Sequence, residues 1–205
     1  MFKKLYSILS LALCCSSYGG TFTVLDQDSN KITVEYTGTI EQQDISKWRD
    51  TYNNSDKQVV LIINSRGGSA KGAIDLYWEL KKVSLLETVA GQDVGAWSGA
   101  ALLWLAGSTR TLEEGALVMF HAPYCTWDEN PFPDIGCNTA ISQDKFRKVF
   151  LDAGYNGARF MDCLNSIQTG FGTDGWLGTL GNSNNWYLID SNTLLILRFN
   201  MESLK

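Results

Sequence analysis

The chain of 205 residues is 44% hydrophobic and 19% charged, the balance of a folded domain with a sizeable core, which excludes a disordered or fibrous protein. Its 17 Lys+Arg against 22 Asp+Glu give a formal charge of -5, and no basic cluster offers the phosphate contacts that nucleic-acid binding needs. A single histidine, and cysteines without paired close spacing, argue against a zinc site.

The first twenty residues differ from the rest. Lys3 and Lys4 precede an apolar run from Leu5 to Cys15, and the small residues Ser16, Ser17, Gly19 and Gly20 follow. A basic start, a short greasy stretch and a small-residue exit make a secretory signal peptide, too short to span a bilayer as a helix. A cut after Gly19 places Ser17 and Gly19 at the two small-residue positions. Residues 1–19 are then the signal peptide and residues 20–205 a single domain, periplasmic or secreted. An uncleaved anchor and a lipoprotein lipidated at Cys14 or Cys15 are the alternatives, the second opposed by Leu13 where a small residue is expected.

Beyond the signal, residues 21–26 and 31–36 read as short strands joined by the turn Asp28-Ser29-Asn30, with Ile32, Val34 and Tyr36 alternating with polar residues. Residues 40–52 read as an amphipathic helix. Residues 59–63 are a β-branched run typical of a strand buried on both faces. A helix is expected over 70–83, a strand over 86–91 and an apolar, buried helix over 97–106. Strands over 109–112 and 117–121 precede a loop, then helices over 139–153 and 157–167. Residues 170–185, rich in Gly, Asn and Thr, are poorly patterned, and strands over 186–190 and 193–199 close the chain. Strand alternating with helix implies right-handed crossovers, parallel pairing and an α/β domain.

Three segments carry chemistry. Gly67-Gly68 ends the buried strand and permits unusual backbone angles and close approach of a ligand, as it would also permit a simple tight turn. Ser98, within Gly95-Ala96-Trp97-Ser98-Gly99-Ala100-Ala101, opens a buried helix whose unpaired N–H groups suit a developing negative charge. Capping that helix would be an ordinary job for Ser98. His121, the sole histidine, ends a strand and is the side chain whose pKa suits a base for a serine nucleophile. Among the cysteines left after the signal, Cys125 and Cys137 bracket a short Pro- and Asp-containing loop. They form either a disulfide, leaving Cys163 unpaired, or buried thiols.

These segments resemble a known family. Leu61-Ile62-Ile63-Asn64-Ser65-Arg66-Gly67-Gly68-Ser69 resembles the INSPGG strand-turn of the Clp protease proteolytic subunit. The stretch from Gly91 through Ser98 to Leu105-Ala106-Gly107 resembles its nucleophile helix, and Val118-Met119-Phe120-His121-Ala122-Pro123 its VMIHQP motif. The order and spacing match across residues 59–123. The resemblance implies a Clp/crotonase-type α/β spiral of repeated strand-strand-helix units. It implies Ser98 as nucleophile, His121 as general base, and the Gly68 and Gly99 N–H groups as the oxyanion hole. It points to Asp174 as the third member of a triad, although a turn role suits that residue equally. It implies no metal or cofactor, a peptide or unfolded protein as substrate, and self-association into a homo-oligomer. Two features depart from the family. Arg66 stands where Pro is usual, and the signal peptide places the protein away from ATP, so no ATPase partner is expected. The rival readings are an inactive Clp-like binding or assembly module, a crotonase acting on acyl thioesters, and a Ser–Lys peptidase using Lys71 or Lys145.

Overall fold

The computed structural model describes residues 19–52, 56–122, 139–171, 175–180, 186–190 and 195–199. The apolar run at 59–63, β-branched but for Leu61, lies in β3 (Gln58–Asn64), where Val59, Leu61 and Ile63 are fully buried. Such a strand needs cover on both faces. It pairs in parallel with β2 (Lys31–Thr37) on one side and β4 (Leu86–Ala90) on the other. Antiparallel β1 (Thr21–Gln27) and parallel β6 (Thr109–Leu112) complete a sheet of order β1-β2-β3-β4-β6.

A second sheet contains β5 (Ala96–Trp97), β7 (Leu117–Phe120), β8 (Gly175–Leu180), β9 (Trp186–Asp190) and β10 (Leu195–Phe199), in the order β10-β9-β8-β7-β5. Only β5 and β7 are parallel here, and the other pairs are antiparallel. The expectation of parallel pairing therefore holds for β2, β3, β4 and β6 and fails for the closing strands. The strands from β8 onward follow one another through short connections, which suit antiparallel neighbours and cannot accommodate crossover helices. Strand β8 lies inside the stretch that the sequence left unpatterned.

The helices among the described residues are α1 (Asp44–Tyr52), α2 (Ala70–Leu80), α3 (Gly99–Leu105), α4 (Thr139–Asp152) and α5 (Gly157–Phe171). Helix α1 starts later than the expected 40–52, because Ile40 is engaged in a bridge to Gly68. The expected helix over 97–106 is divided, its first residues forming β5 and the rest α3. Every residue of α3 is buried, and the helix lies between the sheets, against α2, β3, β4 and β7. A helix with no polar face has no other stable position. A ring cluster of Phe120, Phe150, Phe160 and Trp186 ties β7 and β9 to α4 and α5. In it Phe150 stacks on Phe160 at 3.9 Å and Trp186 on Phe120 at 5.7 Å. Among the described residues no helix is long and apolar enough to cross a membrane.

Candidate active site

The junction of the two sheets positions the chemistry-bearing residues. As β3 ends, the Ser65 N–H donates to the Gly95 carbonyl at 2.9 Å and the Trp97 N–H to the Ser65 carbonyl at 3.0 Å, joining β3 to β5. The Ser65 hydroxyl donates to the Gly38 carbonyl at 2.6 Å and accepts from the Gly67 N–H at 3.1 Å, fixing the turn. The buried Asn64 side chain donates to Glu35 at 2.8 Å and accepts from the Val94 N–H at 3.1 Å.

Both glycines of the turn are obligatory. Gly67 has φ 94 and Gly68 φ 150, a region that L side chains avoid. A Cβ on Gly67 would lie 2.8 Å from the Gly99 nitrogen and from Ser98 Cβ, and one on Gly68 would overlap the Ile40 backbone. The turn is clamped to Ile40, whose N–H donates to Gly67 at 2.9 Å and whose carbonyl accepts from Ser69 at 2.8 Å.

Ser98 sits between β5 and α3 at φ 54 and ψ -124, and it is the only non-glycine residue with positive φ among those described. Such a conformation costs on the order of 1–3 kcal/mol and persists only where its surroundings enforce it. Here the Ser98 N–H donates to the Met119 carbonyl at 2.8 Å, and the close approach of Gly67 holds the turn from the other side. The hydroxyl makes no capping hydrogen bond to α3, which removes the capping role that the sequence left open. Instead Ser98 Oγ lies 2.6 Å from His121 Nε2. Parallel pairing of Trp97 with Met119 brings these residues together across a sequence separation of 23.

His121 Nδ1 lies 2.7 Å from the Ala122 carbonyl oxygen. A carbonyl only accepts, so Nδ1 carries the proton and Nε2 presents a lone pair to the serine hydroxyl. Burial pushes the imidazole pKa below its ordinary value, partly opposed by the bond to Ala122, so the ring is neutral at pH 7. Neither the Gly68 nor the Gly99 N–H finds a hydrogen-bond acceptor among the described residues. At seven residues α3 is too short for a large macrodipole, so its contribution here is the local N–H.

These groups border a cavity of about 340 Å³. Ser98, His121, Gly68 and Gly99 line it together with the apolar Ala70, Leu102, Phe120, Phe146 and Phe150. Among the described residues Arg66 is the one cationic side chain in the lining, and its guanidinium lies over the Trp97 ring at 5.4 Å. Sequence reasoning missed the apolar lining. Phe146 and Phe150, one helical turn apart on α4, were its available signal. Lys71 is held by Asp75 at 2.7 Å, and neither it nor the exposed Lys145 lines the cavity. Asp174, Cys125 and Cys137 lie outside the described residues. Cys163, on α5, has a free thiol that burial pushes up to about 11. Among the described residues no cluster of His, Cys, Asp and Glu could hold a metal ion.

A mixed α/β domain with a serine hydroxyl bonded to a neutral imidazole, beside two unspent backbone donors, defines a class of hydrolase-like sites. The family model for Clp protease matches residues 31–141, more than half of the chain, and the protein belongs to the Clp protease family. Among solved structures it resembles a point mutant of ClpP1 from Listeria monocytogenes, with a TM-score of 0.51 at 16% identity, over 73% of this chain and 82% of that one. That likeness is one of fold. A search of curated proteins finds none that matches.

Proposed function

We propose that the protein is an exported, ATP-independent serine peptidase that cleaves peptides or unfolded protein by acyl transfer. The observation that carries this reading is the 2.6 Å contact of Ser98 Oγ with His121 Nε2, in the tautomer that accepts a proton. Ser98 Oγ attacks the scissile carbonyl as His121 Nε2 takes its proton, and the oxyanion rests on the Gly68 and Gly99 N–H groups. Each such donor contributes on the order of 3–4 kcal/mol of barrier lowering. The C–N bond then breaks as the imidazolium returns the proton to the leaving amine, and water, deprotonated by His121, releases the acyl group. No metal or cofactor is required.

The orienting acid is assigned to Asp174, which would share the Nδ1 proton that the Ala122 carbonyl accepts. Support comes from β8, which begins at the following residue, Gly175, and pairs Leu177 with Phe120, so its first residues lie at the His121 end of β7. Membership of the Clp family supports a peptide substrate and self-association. The signal-peptide pattern of residues 1–19 supports export and, with it, independence of an ATPase partner.

A fluorophosphonate probe tests the site. The purified mature protein is expected to label, and Ser98→Ala and His121→Ala to lose labelling by at least about a thousandfold while keeping their fold. A folded, pure sample that fails to label across pH would instead support an inactive binding module.

A further inference from the structure

The described fold begins at a buried carboxylate. Asp44, at the start of α1, has a fully buried side chain. Its Oδ2 accepts from the Tyr36 hydroxyl at 2.8 Å, the Glu41 N–H at 2.8 Å and the Gly20 N–H at 3.1 Å, and its Oδ1 pairs with Lys47 Nζ at 2.9 Å. Gly20 is held at both ends, since Lys47 Nζ also donates to its carbonyl at 2.7 Å. The seat takes glycine alone, because a Cβ at residue 20 would overlap the Tyr36 ring and hydroxyl. Gly20 is buried, whereas Gly19 before it is partly exposed.

The buried nitrogen belongs to the residue that follows the small-residue pair Ser17 and Gly19. Two independent observations thus converge on the Gly19–Gly20 bond: the leader's exit pattern and a buried anion aimed at the nitrogen just beyond it. We propose that the leader is removed between Gly19 and Gly20, and that the Gly20 α-ammonium so released is held by the buried carboxylate of Asp44. This rests on the export reading given above.

The chemistry is hydrolysis by a leader-removing peptidase of the export machinery. Water adds across the peptide bond, Gly19 leaves as a carboxylate, and the Gly20 nitrogen gains the protons that make it an ammonium. The change converts the neutral donor to Asp44 Oδ2 into a charge-assisted one, with Asp44 Oδ1, Lys47 Nζ and Gln43 Nε2 beside the space of Gly19. One proton of the ammonium keeps the bond to Asp44 Oδ2. The others face the space that Gly19 occupied, which water reaches. Lys47 faces the same carboxylate and Glu41 is close by, so the carboxylates of Asp44 and Glu41 oppose the charges of Lys47 and the new terminus.

The test has two arms. Intact mass and N-terminal sequencing of the protein recovered from the exported fraction of an expressing cell are expected to give a chain starting at Gly20. A mature start at any other residue overturns the proposal. In the second arm, purified chains beginning at Gly20 and at Ser17, each released from a cleavable fusion, are compared by thermal melting in the wild-type and Asp44→Asn backgrounds. The Gly20 start is expected to melt about 3 °C or more above the Ser17 start in wild type, and the gap to close in Asp44→Asn. Equal melting in wild type, or an equal gap in both backgrounds, overturns the pairing. Should Asp44→Asn fail to fold, acetylation of the Gly20 terminus, which keeps an N–H and removes the charge, is expected to abolish the wild-type gap. An unchanged gap overturns the pairing. Retention of the whole chain inside the cell would sink the export reading and the cut. The melting arm, made on purified chains, reports on the Asp44 pairing by itself.

Discussion

Ser98 carries strain that a mere helix cap would not require. A residue at φ 54 whose hydroxyl ignores the helix it precedes, and instead meets an imidazole at 2.6 Å, is positioned by its neighbours for another task. The partner imidazole is tuned by burial to stay neutral, which sets a pH signature. Because the base must be unprotonated, probe labelling is expected to fall on acidification with an apparent pKa below about 6.5, the ordinary histidine value, and to stay flat through neutrality. Labelling rate against pH measures this, and a midpoint above 7 would contradict the burial argument. The sign for stability is the same. A histidine whose pKa is lowered by folding contributes stability above its unfolded value that is lost as pH falls through the folded one. Arg66 makes a prediction about selectivity. As the only charged side chain among the described lining residues, it is expected to favour substrates with a carboxylate near the scissile bond. Arg66→Ala is expected to lower kcat/KM about tenfold for acidic peptides and to leave neutral ones little changed, with competing peptide pairs as the assay.

At the scale of elements, the turn after β3 is held by Ile40, and Ile40 leads into α1, so the placement of α1 bears on the site. Helix α1 is tied to α2 by a two-bond pair, Arg49 to Glu79, at 2.9 and 2.8 Å. The hydrogen bond from Arg49, helped by Lys82, holds the Glu79 carboxyl at about 2 despite partial desolvation. The Arg49 side chain is 58% exposed, so solvent screening keeps the pair's worth near about 0.5–1 kcal/mol. Arg49→Ala is expected to lower Tm by about 2–3 °C at neutral pH. Since Glu79 has a depressed folded pKa, its contribution is present above its unfolded value and lost as pH falls toward about 2, so the gap between variant and wild type should narrow in acid. Melting curves at neutral and acidic pH read both effects.

For the molecule as a whole, the site exists because two sheets meet. Ser98 comes from the loop after β5 and His121 from the end of β7, in one sheet, while the glycine turn comes from β3 in the other. In the second sheet β9 is tied to β7 by Trp186, which is 2% exposed and stacked on Phe120, the residue before His121. Trp186→Ala is expected to cost about 3–5 kcal/mol of stability. Because Phe120 adjoins His121, the surviving folded fraction should also label more slowly than wild type. Denaturant titration paired with labelling of the folded fraction checks both, and unaltered labelling would mean that the closing strands do not position the base.

Much of this was legible in the chain. The mainly β-branched run at 59–63, the apolar stretch 99–105 and the single His121 are local signals, because burial on both faces and the scarcity of a neutral-pH base leave marks at the residue itself. The glycine turn and Ser98 were also visible as candidates, and their order along the chain matched the Clp family. Composition could not separate a cap from a nucleophile, since both uses of serine place it before a buried helix. The tertiary structure removed the cap and set the hydroxyl against His121, through the parallel register of β5 on β7, a pairing of residues distant in sequence. It also decided the antiparallel second sheet, the apolar cavity lining from α4, and the burial of Asp44 against Gly20. Each arises from contacts between elements far apart in the chain, for which no single segment carries a pattern.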